Sequence, residues 1–389
     1  MRALAALLLI LTAAASPTGP HDVLAPDTEA RWVPFDLTPG NQIRFTAIVD
    51  GAPVSAVLDT GVSVSVVSRA YILHRRLHIR PAGSAAAIGG SVSVDAVTIG
   101  SLSLGGLTRS EETLSVATLP DTATGSTWPI DMLIGRDVTA GYALDIDFAA
   151  HRFRLLPSGR IPFRGFSAPL AIAADRKIYV SELIIGGARL RPILIDTGDG
   201  AAITLTDHAW RFVKPDLAPQ TTALSYGLGG PMVTGLAIVP HVVSGTAIAD
   251  DVEVRIEPEG AFSDAIGMEG RVGVSFMQRY RVLLDPGAGH MLLRPVANTD
   301  FAPLRSTSGL LVAASNGRLT VLHVMRGGPA DARGWRTGDT ICSIDGRPVP
   351  QDYAGSAAAG WSIGTPGRTV ALGLCDGRGT RELTLRQFY

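Results

Sequence analysis

A stretch of this chain occurs twice, and that repeat limits the possible folds more than any other feature. Asp59-Thr60-Gly61 returns as Asp196-Thr197-Gly198. Before the first copy, Phe45 to Leu58 alternates apolar and polar residues around a Gly51-Ala52-Pro53 turn. Before the second, Tyr179 to Ile185 leads to a Gly186-Gly187 turn and then Leu190 to Ile195. Period-two alternation broken by glycine turns is the signature of a β-hairpin, so each Asp leaves an apolar strand. Downstream the match continues. Gly89-Gly90 lie 30 and 31 residues after Asp59, and Gly229-Gly230 lie 33 and 34 after Asp196. Gly135 ends Met132-Leu133-Ile134-Gly135 at an offset of 76, and Gly273 ends Gly270-Arg271-Val272-Gly273 at 77. Tyr142 and Tyr280 follow at offsets of 83 and 84. Shared landmarks in one order imply one supersecondary plan used twice and packed against itself. The expectation is two mainly β lobes, residues 17–160 and 161–300, with the boundary near Pro157 to Ser167.

Composition supports a packed, exported protein. The chain is 46% hydrophobic and 18% charged, which excludes extended disorder. Its 44 glycines and 25 prolines favour turns between strands over long helices. A net charge of -1 without a basic run gives nucleic acid or an anionic membrane surface nothing to bind. Arg2, the apolar run Leu4 to Leu11 and the small residues Ala13 to Ser16 read as a secretory signal peptide, residues 1–16. That run is too short to span a bilayer, and no later stretch is long enough, so stable membrane insertion is not expected. Periplasmic or extracellular placement follows. The only two cysteines, Cys342 and Cys375, are too few for a structural zinc site. In an oxidising compartment they are candidates to pair, although sequence leaves their separation open.

Two carboxylates brought together across such a repeat have a specific chemistry. They cannot both ionise cheaply, so they share a proton. The ionised member then takes a proton from water while the protonated member polarises a carbonyl. No metal or other cofactor is needed. The two Asp-Thr-Gly turns, with Leu133-Ile134-Gly135, resemble the retropepsin and pepsin class of aspartic peptidases. The chain is most similar to bacterial exported members carrying a PDZ domain. The resemblance implies closed β lobes forming a bilobal acid-protease fold and an endopeptidase cleft that takes peptide or unfolded protein. It implies Asp59 and Asp196 as catalytic residues, with Gly61 and Gly198 shaping their loops and Thr60 and Thr197 cross-bracing them. It also places candidate flaps at Gly89-Gly90 and Gly229-Gly230, which otherwise read as ordinary surface hairpins. Two positions depart from the family pattern: Val62 and Asp199 stand where Ser, Thr or Ala is usual. Asp199 either adds a third negative charge beside the pair or points outward as a turn residue. The alternative to an enzyme is therefore a catalytically weak or inactive peptide-binding envelope protein.

After Pro295 the repeat stops. Ser308-Gly309-Leu310-Leu311-Val312, Gly328-Pro329-Ala330, Gly338-Asp339 and Ile344-Asp345-Gly346 follow in order. This succession resembles a small α+β PDZ domain of the bacterial envelope type over residues 305–389. It implies peptide binding by strand addition at Gly309, Leu310, Leu311 and Val312, with capture of a C-terminal carboxylate. A closed groove that serves only as scaffold is the competing reading. His74 and His78, four apart in an expected helix, share a face without a third ligand and are read as solvated. His151 and His290 recur near corresponding strand ends, which suggests a common structural role. No Gly-x-Ser-x-Gly elbow or phosphate loop is present, so serine hydrolase and nucleotide chemistry have no support.

Overall fold

The structure, a computed structural model, describes residues 22–121, 125, 129–175, 177–213, 221–297, 301–377 and 379–389. The expected leader, residues 1–16, lies outside the described residues. The chain is mainly β. Among the described residues the strands pair into four sheets, two of which close on themselves.

In the first half, Leu107–Ala117, Val66–Ser68, Met132–Ile134, Ala52–Leu58, Ile43–Val49 and Gly90–Leu104 pair in that order. Gly90–Leu104 then pairs back to Leu107–Ala117 and closes a ring of six strands. In the second half the ring runs Ala247–Glu257, Ile203–Thr206, Gly270–Val272, Ala188–Ile195, Tyr179–Ile185 and Gly230–Ser244. It closes the same way, through Gly230–Ser244 to Ala247–Glu257. Closure leaves no unpaired edge within either ring. The hairpins entering each Asp-Thr-Gly turn at Asp50-Gly51 and Gly186-Gly187, so the strands begin at Ala52 and Ala188. Both pairs of turn residues have positive φ, the conformation a two-residue hairpin turn demands.

A third sheet draws on both halves. Its order is Phe166–Pro169, His290–Pro295, Tyr280–Asp285, Ala143–Asp147, Arg152–Leu156 and Val33–Pro34. At its centre Ala143–Asp147 pairs antiparallel with Tyr280–Asp285, strands at corresponding places in the repeat. Buried Asp145 is held there by Arg154 and by a two-point pair with Arg281. One continuous apolar core runs through both rings and this shared sheet, from Val33 to Leu293. The tandem halves are therefore not separately cored.

Two histidine readings need correction. The helix Arg69–Arg75 stops at Arg76, which adopts φ 55, so His78 lies beyond the helix and shares no face with His74. His151 sits in a turn and stacks on Phe35, whereas His290 is a strand residue opposite Asp285. The strand partner at the place of His290 in the first half is Arg152, so the two histidines are not equivalent.

Residues after 305 form a separate sheet in the order Leu310–Ser315, Arg318–Val324, Thr340–Ile344, Thr369–Leu374 and Thr380–Thr384, with Arg347–Pro348 on Thr340–Ile344. Leu319, Trp335, Trp361 and Leu383 belong to its own apolar core. Cys342 and Cys375 form a disulfide with Cα atoms 5.0 Å apart, tying the strand Thr340–Ile344 to the turn after Thr369–Leu374 across 33 residues of sequence. Closing a loop of that length restricts the unfolded chain by about 3–4 kcal/mol. The double variant Cys342→Ala/Cys375→Ala should therefore melt this sheet at lower denaturant, by about that amount, while the two rings unfold as before. Tryptophan fluorescence of Trp335 and Trp361 reports the first event.

Candidate active site

Each Asp-Thr-Gly leaves a strand that is paired in parallel with the strand of the later landmark. Ala52–Leu58 lies beside Met132–Ile134, and Ala188–Ile195 beside Gly270–Val272. The last bonds of these ladders fix the aspartates: the Asp59 N–H donates to Ile134 O and the Asp196 N–H to Val272 O, both at 2.9 Å. Behind the turns, a Cβ on Gly135 would lie 2.8 Å from Val62 O, and one on Gly273 would meet Asp199 O and Ala201 O. Those two glycines let the loops settle directly on the landmark strands.

Four reciprocal hydrogen bonds join the loops. Thr60 Oγ1 donates to Ile195 O at 2.7 Å and accepts from the Thr197 N–H at 3.0 Å. Thr197 Oγ1 donates to Leu58 O at 2.8 Å and accepts from the Thr60 N–H at 3.0 Å. Both threonines are 0% exposed. The carboxylates are oriented within their own loops, since the Gly61 N–H donates to Asp59 Oδ1 at 3.0 Å and the Gly198 N–H to Asp196 Oδ1 at 2.9 Å. Each glycine also faces the opposite carboxylate. A Cβ on Gly61 would lie 2.5 Å from Asp196 Oδ1, and one on Gly198 would collide with Asp59. The structure thus sets Asp59 and Asp196 side by side, with room for no other residue at either glycine.

The ionisation of the pair follows from this packing. Burial, then the charge of Asp196, pushes the Asp59 carboxyl well above the ordinary range, and the Gly61 N–H only partly offsets them. Burial, then the charge of Asp199, pushes Asp196 up to about 6, restrained by Arg271 and the Gly198 N–H. The two carboxylates therefore share a proton at pH values where an isolated aspartate has already lost its own.

Asp199 does not point outward. It is buried, and its Oδ2 accepts from Arg271 Nε at 2.5 Å and Thr204 Oγ1 at 3.1 Å, while Oδ1 accepts from the Ala201 N–H at 2.9 Å. Arg271, itself 2% exposed, also pairs with Glu257 at 2.6 Å. Burial pushes the Asp199 carboxyl up, but Arg271 and the Ala201 N–H outweigh it and keep Asp199 ionised. The third negative charge is therefore present and paired with Arg271, and it still pushes Asp196 upward. A buried guanidinium needs such partners, which is why a carboxylate there turns inward.

The first half fills the same place with apolar side chains. Val62, Val66, Ala117 and Leu133 meet there, at the positions of Asp199, Thr204, Glu257 and Arg271 by strand register. Arg271, Glu257 and Thr204 are thus site residues that the sequence reading left out. A joint comparison of these four positions signals them: the valine-to-aspartate change at Asp199 is matched by leucine-to-arginine at 271 and alanine-to-glutamate at 257.

Two hairpins cover the pair. Arg80–Ala87 and Gly90–Leu104 turn at Ile88-Gly89, and Thr221–Gly227 and Gly230–Ser244 turn at Leu228-Gly229. Their tips touch: the Gly229 N–H donates to Ile88 O at 2.9 Å. A Cβ on Gly89 would meet Gly230, and one on Gly229 would meet Gly89 and Gly90. Beneath lie two cavities that share Gly198, Ile88 and Tyr226. The first, about 470 Å³, includes both aspartates and is lined mostly by apolar groups such as Val62, Leu119 and Leu133. The second, about 870 Å³, follows Asp199, Glu253 and Arg255 toward the C-terminal sheet. In that sheet the Gly309 N–H donates to Ser306 Oγ at 3.0 Å and the Leu310 N–H to Ser308 Oγ at 3.1 Å. Leu311 and Val312 instead line the second cavity. Among the described residues no group of three or more His, Cys, Asp or Glu side chains is placed to hold a metal ion.

Residues 45–138, which contain Asp59, match the family model described as aspartyl protease. No curated protein matches the chain. The family match, on a segment with a closed six-strand ring and one of two facing aspartates, supports a peptidase hydrolase.

Two outcomes follow. Thr60→Val removes one donated and one accepted buried hydrogen bond and should cost about 2–4 kcal/mol by urea denaturation, with Thr60→Ser recovering most of it. Arg271→Leu alone strands two buried carboxylates and should cost about 3–5 kcal/mol. The quadruple variant Asp199→Val/Thr204→Val/Glu257→Ala/Arg271→Leu, which copies the first half, should regain most of that loss in the same measurement.

Proposed function

We propose that the chain is an aspartic endopeptidase of bilobal acid-protease architecture, exported to the periplasm or beyond, with a C-terminal peptide-binding PDZ module. The observation that carries this reading is the facing of Asp59 and Asp196, held by the reciprocal threonine bonds beneath two touching hairpin tips. The hairpins act as flaps, and glycine at their tips permits contact that a side chain would block.

The pair holds a single proton, which is followed here from Asp59. Ionised Asp196 takes a proton from water as the water oxygen bonds to the scissile carbonyl carbon, and protonated Asp59 gives its proton to the carbonyl oxygen. In the collapse, the C–N bond breaks as the proton on Asp196 passes to the leaving nitrogen. A hydroxyl of the tetrahedral carbon returns its proton to Asp59 as the carbonyl reforms. The Asp199–Arg271–Glu257 cluster carries no step; its Asp199 charge opposes ionisation of Asp196, and its Arg271 charge partly offsets that. The apolar cavity beside Val62 and Leu133 favours an apolar substrate side chain next to the scissile bond.

Cleavage of an unfolded protein such as casein tests this. Asp59→Asn and Asp196→Asn should each lower kcat by roughly 10³-fold or more. The wild-type rate should rise with pH through about 6, as the pair loses its first proton, and fall again where it loses the second. Equal rates for wild type and both variants would remove the enzyme reading. Stability should move the opposite way. Raised carboxyls bind more protons in the folded than in the unfolded chain, so unfolding free energy falls as pH rises from about 4 through 6. Asp196→Asn should flatten that fall in urea titrations at several pH values.

A further inference from the structure

The two cavities are counterparts under the repeat. The residue after each Asp-Thr-Gly lines one of them, Val62 the first and Asp199 the second. So does one residue of each landmark strand. Leu133 is paired with Val57 and Arg271 with Leu194, in both cases two places before the aspartate. Ser115 lines the first cavity and Arg255 the second, at one register position of the strands Leu107–Ala117 and Ala247–Glu257. Gly198, the glycine set against Asp59, lines both. The hollows therefore meet beside Asp59 as a related pair with opposite chemistry.

Where the first presents valine, leucine and serine, the second presents carboxylate and guanidinium. Asp199 is paired with Arg271. Arg255 donates through Nε to Glu253 at 3.2 Å and through Nη1 to Ser225 of the flap strand at 3.0 Å. The Arg255 and Glu253 side chains are 27% and 22% exposed, so this pair meets whatever fills the cavity. Arg279 also lines it, and Glu257 stands behind Arg271. Three guanidiniums thus stand with three carboxylates, and the wall carries polar groups of both signs without net charge.

That wall is also held in place. The flap strand Thr221–Gly227 is fastened to the C-terminal sheet: Thr221 Oγ1 donates to Arg326 O at 2.7 Å, the Arg326 N–H donates to Thr222 Oγ1 at 3.1 Å, and Thr222 Oγ1 bonds His323 Nε2 at 2.9 Å. A wall positioned beforehand loses little freedom on binding, so its hydrogen bonds count toward selectivity.

We propose that the second cavity selects a neutral polar side chain, bearing a carboxamide or a hydroxyl, on the side of the scissile bond opposite the apolar residue held at Val62 and Leu133. This rests on the peptidase reading above. A carboxamide donates to the carboxylate of Asp199 or Glu253 and accepts from Arg255. An apolar side chain strips water from those groups and returns no hydrogen bond. A charged side chain loses its hydration against a wall where each attraction is met by a repulsion.

The test uses synthetic peptides with Leu beside a variable residue, in both orders, the variable residue being Gln, Ser, Glu, Lys or Leu. Cleavage is measured with the full-length wild-type protein, and binding with the Asp59→Asn variant by fluorescence anisotropy. In one order, Gln and Ser should exceed Leu, Glu and Lys by about tenfold or more in kcat/KM. The quadruple variant Asp199→Val/Thr204→Val/Glu257→Ala/Arg271→Leu should reverse this and favour Leu. Arg255→Ser, which copies Ser115 and leaves the buried cluster intact, should lower the Gln advantage by about threefold or more, so the test does not hang on the folding of the quadruple variant. Leu best at both places, in cleavage and in binding, overturns the proposal and leaves the peptidase reading standing. Preference for Glu or Lys overturns it as well, since the wall then acts through a net charge. A Gln advantage unchanged in both variants does the same, because it arises elsewhere. If wild type cleaves nothing while Asp59→Asn binds Gln peptides over Leu peptides, and Arg255→Ser added to it weakens that preference, the cavity assignment is supported and the peptidase reading is removed. Neither cleavage nor preference in binding removes both.

Discussion

Everything at the centre of this molecule depends on two hydroxyl groups that each reach into the opposite loop. Thr60 and Thr197 take both an amide and a carbonyl from across the interface, so neither loop completes its hydrogen bonding alone. Because the threonines are fully buried, a broken member leaves polar groups unpaired where water cannot replace it. The spacing of the aspartates, the close approach of Gly61 and Gly198, and the elevated carboxyls all follow from that lock. The shared sheet and the continuous core beneath then make the two rings one body.

Symmetry in the backbone does not carry over to electrostatics. Around Asp59 the supporting groups are Val62, Val66, Ala117 and Leu133; around Asp196 they are Asp199, Thr204, Glu257 and Arg271. An apolar surround penalises charge, whereas a cluster of two carboxylates and one guanidinium sets a repelling charge against an attracting one. Both aspartates are raised, by burial first, and then by Asp196 in the case of Asp59 and by Asp199 in the case of Asp196.

Much of this arrangement is legible in the chain because it is written locally. Alternating strands, glycine turns and an apolar run into each Asp-Thr-Gly need only a few consecutive residues to specify. What a single position cannot show is the partner it meets. Asp199 read alone is equally a surface turn or a third charge, and only its conjunction with Arg271, 72 residues later, decides the matter. The end of the helix after Arg75 hides for a similar reason, since a left-handed Arg76 carries no glycine to announce it. The Ser306 and Ser308 hydroxyls that occupy the Gly309 and Leu310 amides are likewise a matter of loop geometry.

The C-terminal sheet rests on the hairpin of the second half, and among the described residues these bonds have no counterpart on the first hairpin. Such lopsidedness is open only to a chain in which both halves are encoded separately. In a site built from two identical subunits, every substitution appears twice, and a change that helps one side is forced on the other. Here a replacement at Asp199 leaves Val62 untouched, and a module can be fastened to one cover while the other keeps its freedom. Two halves carried by one chain are free to differ at every position where identical subunits must agree.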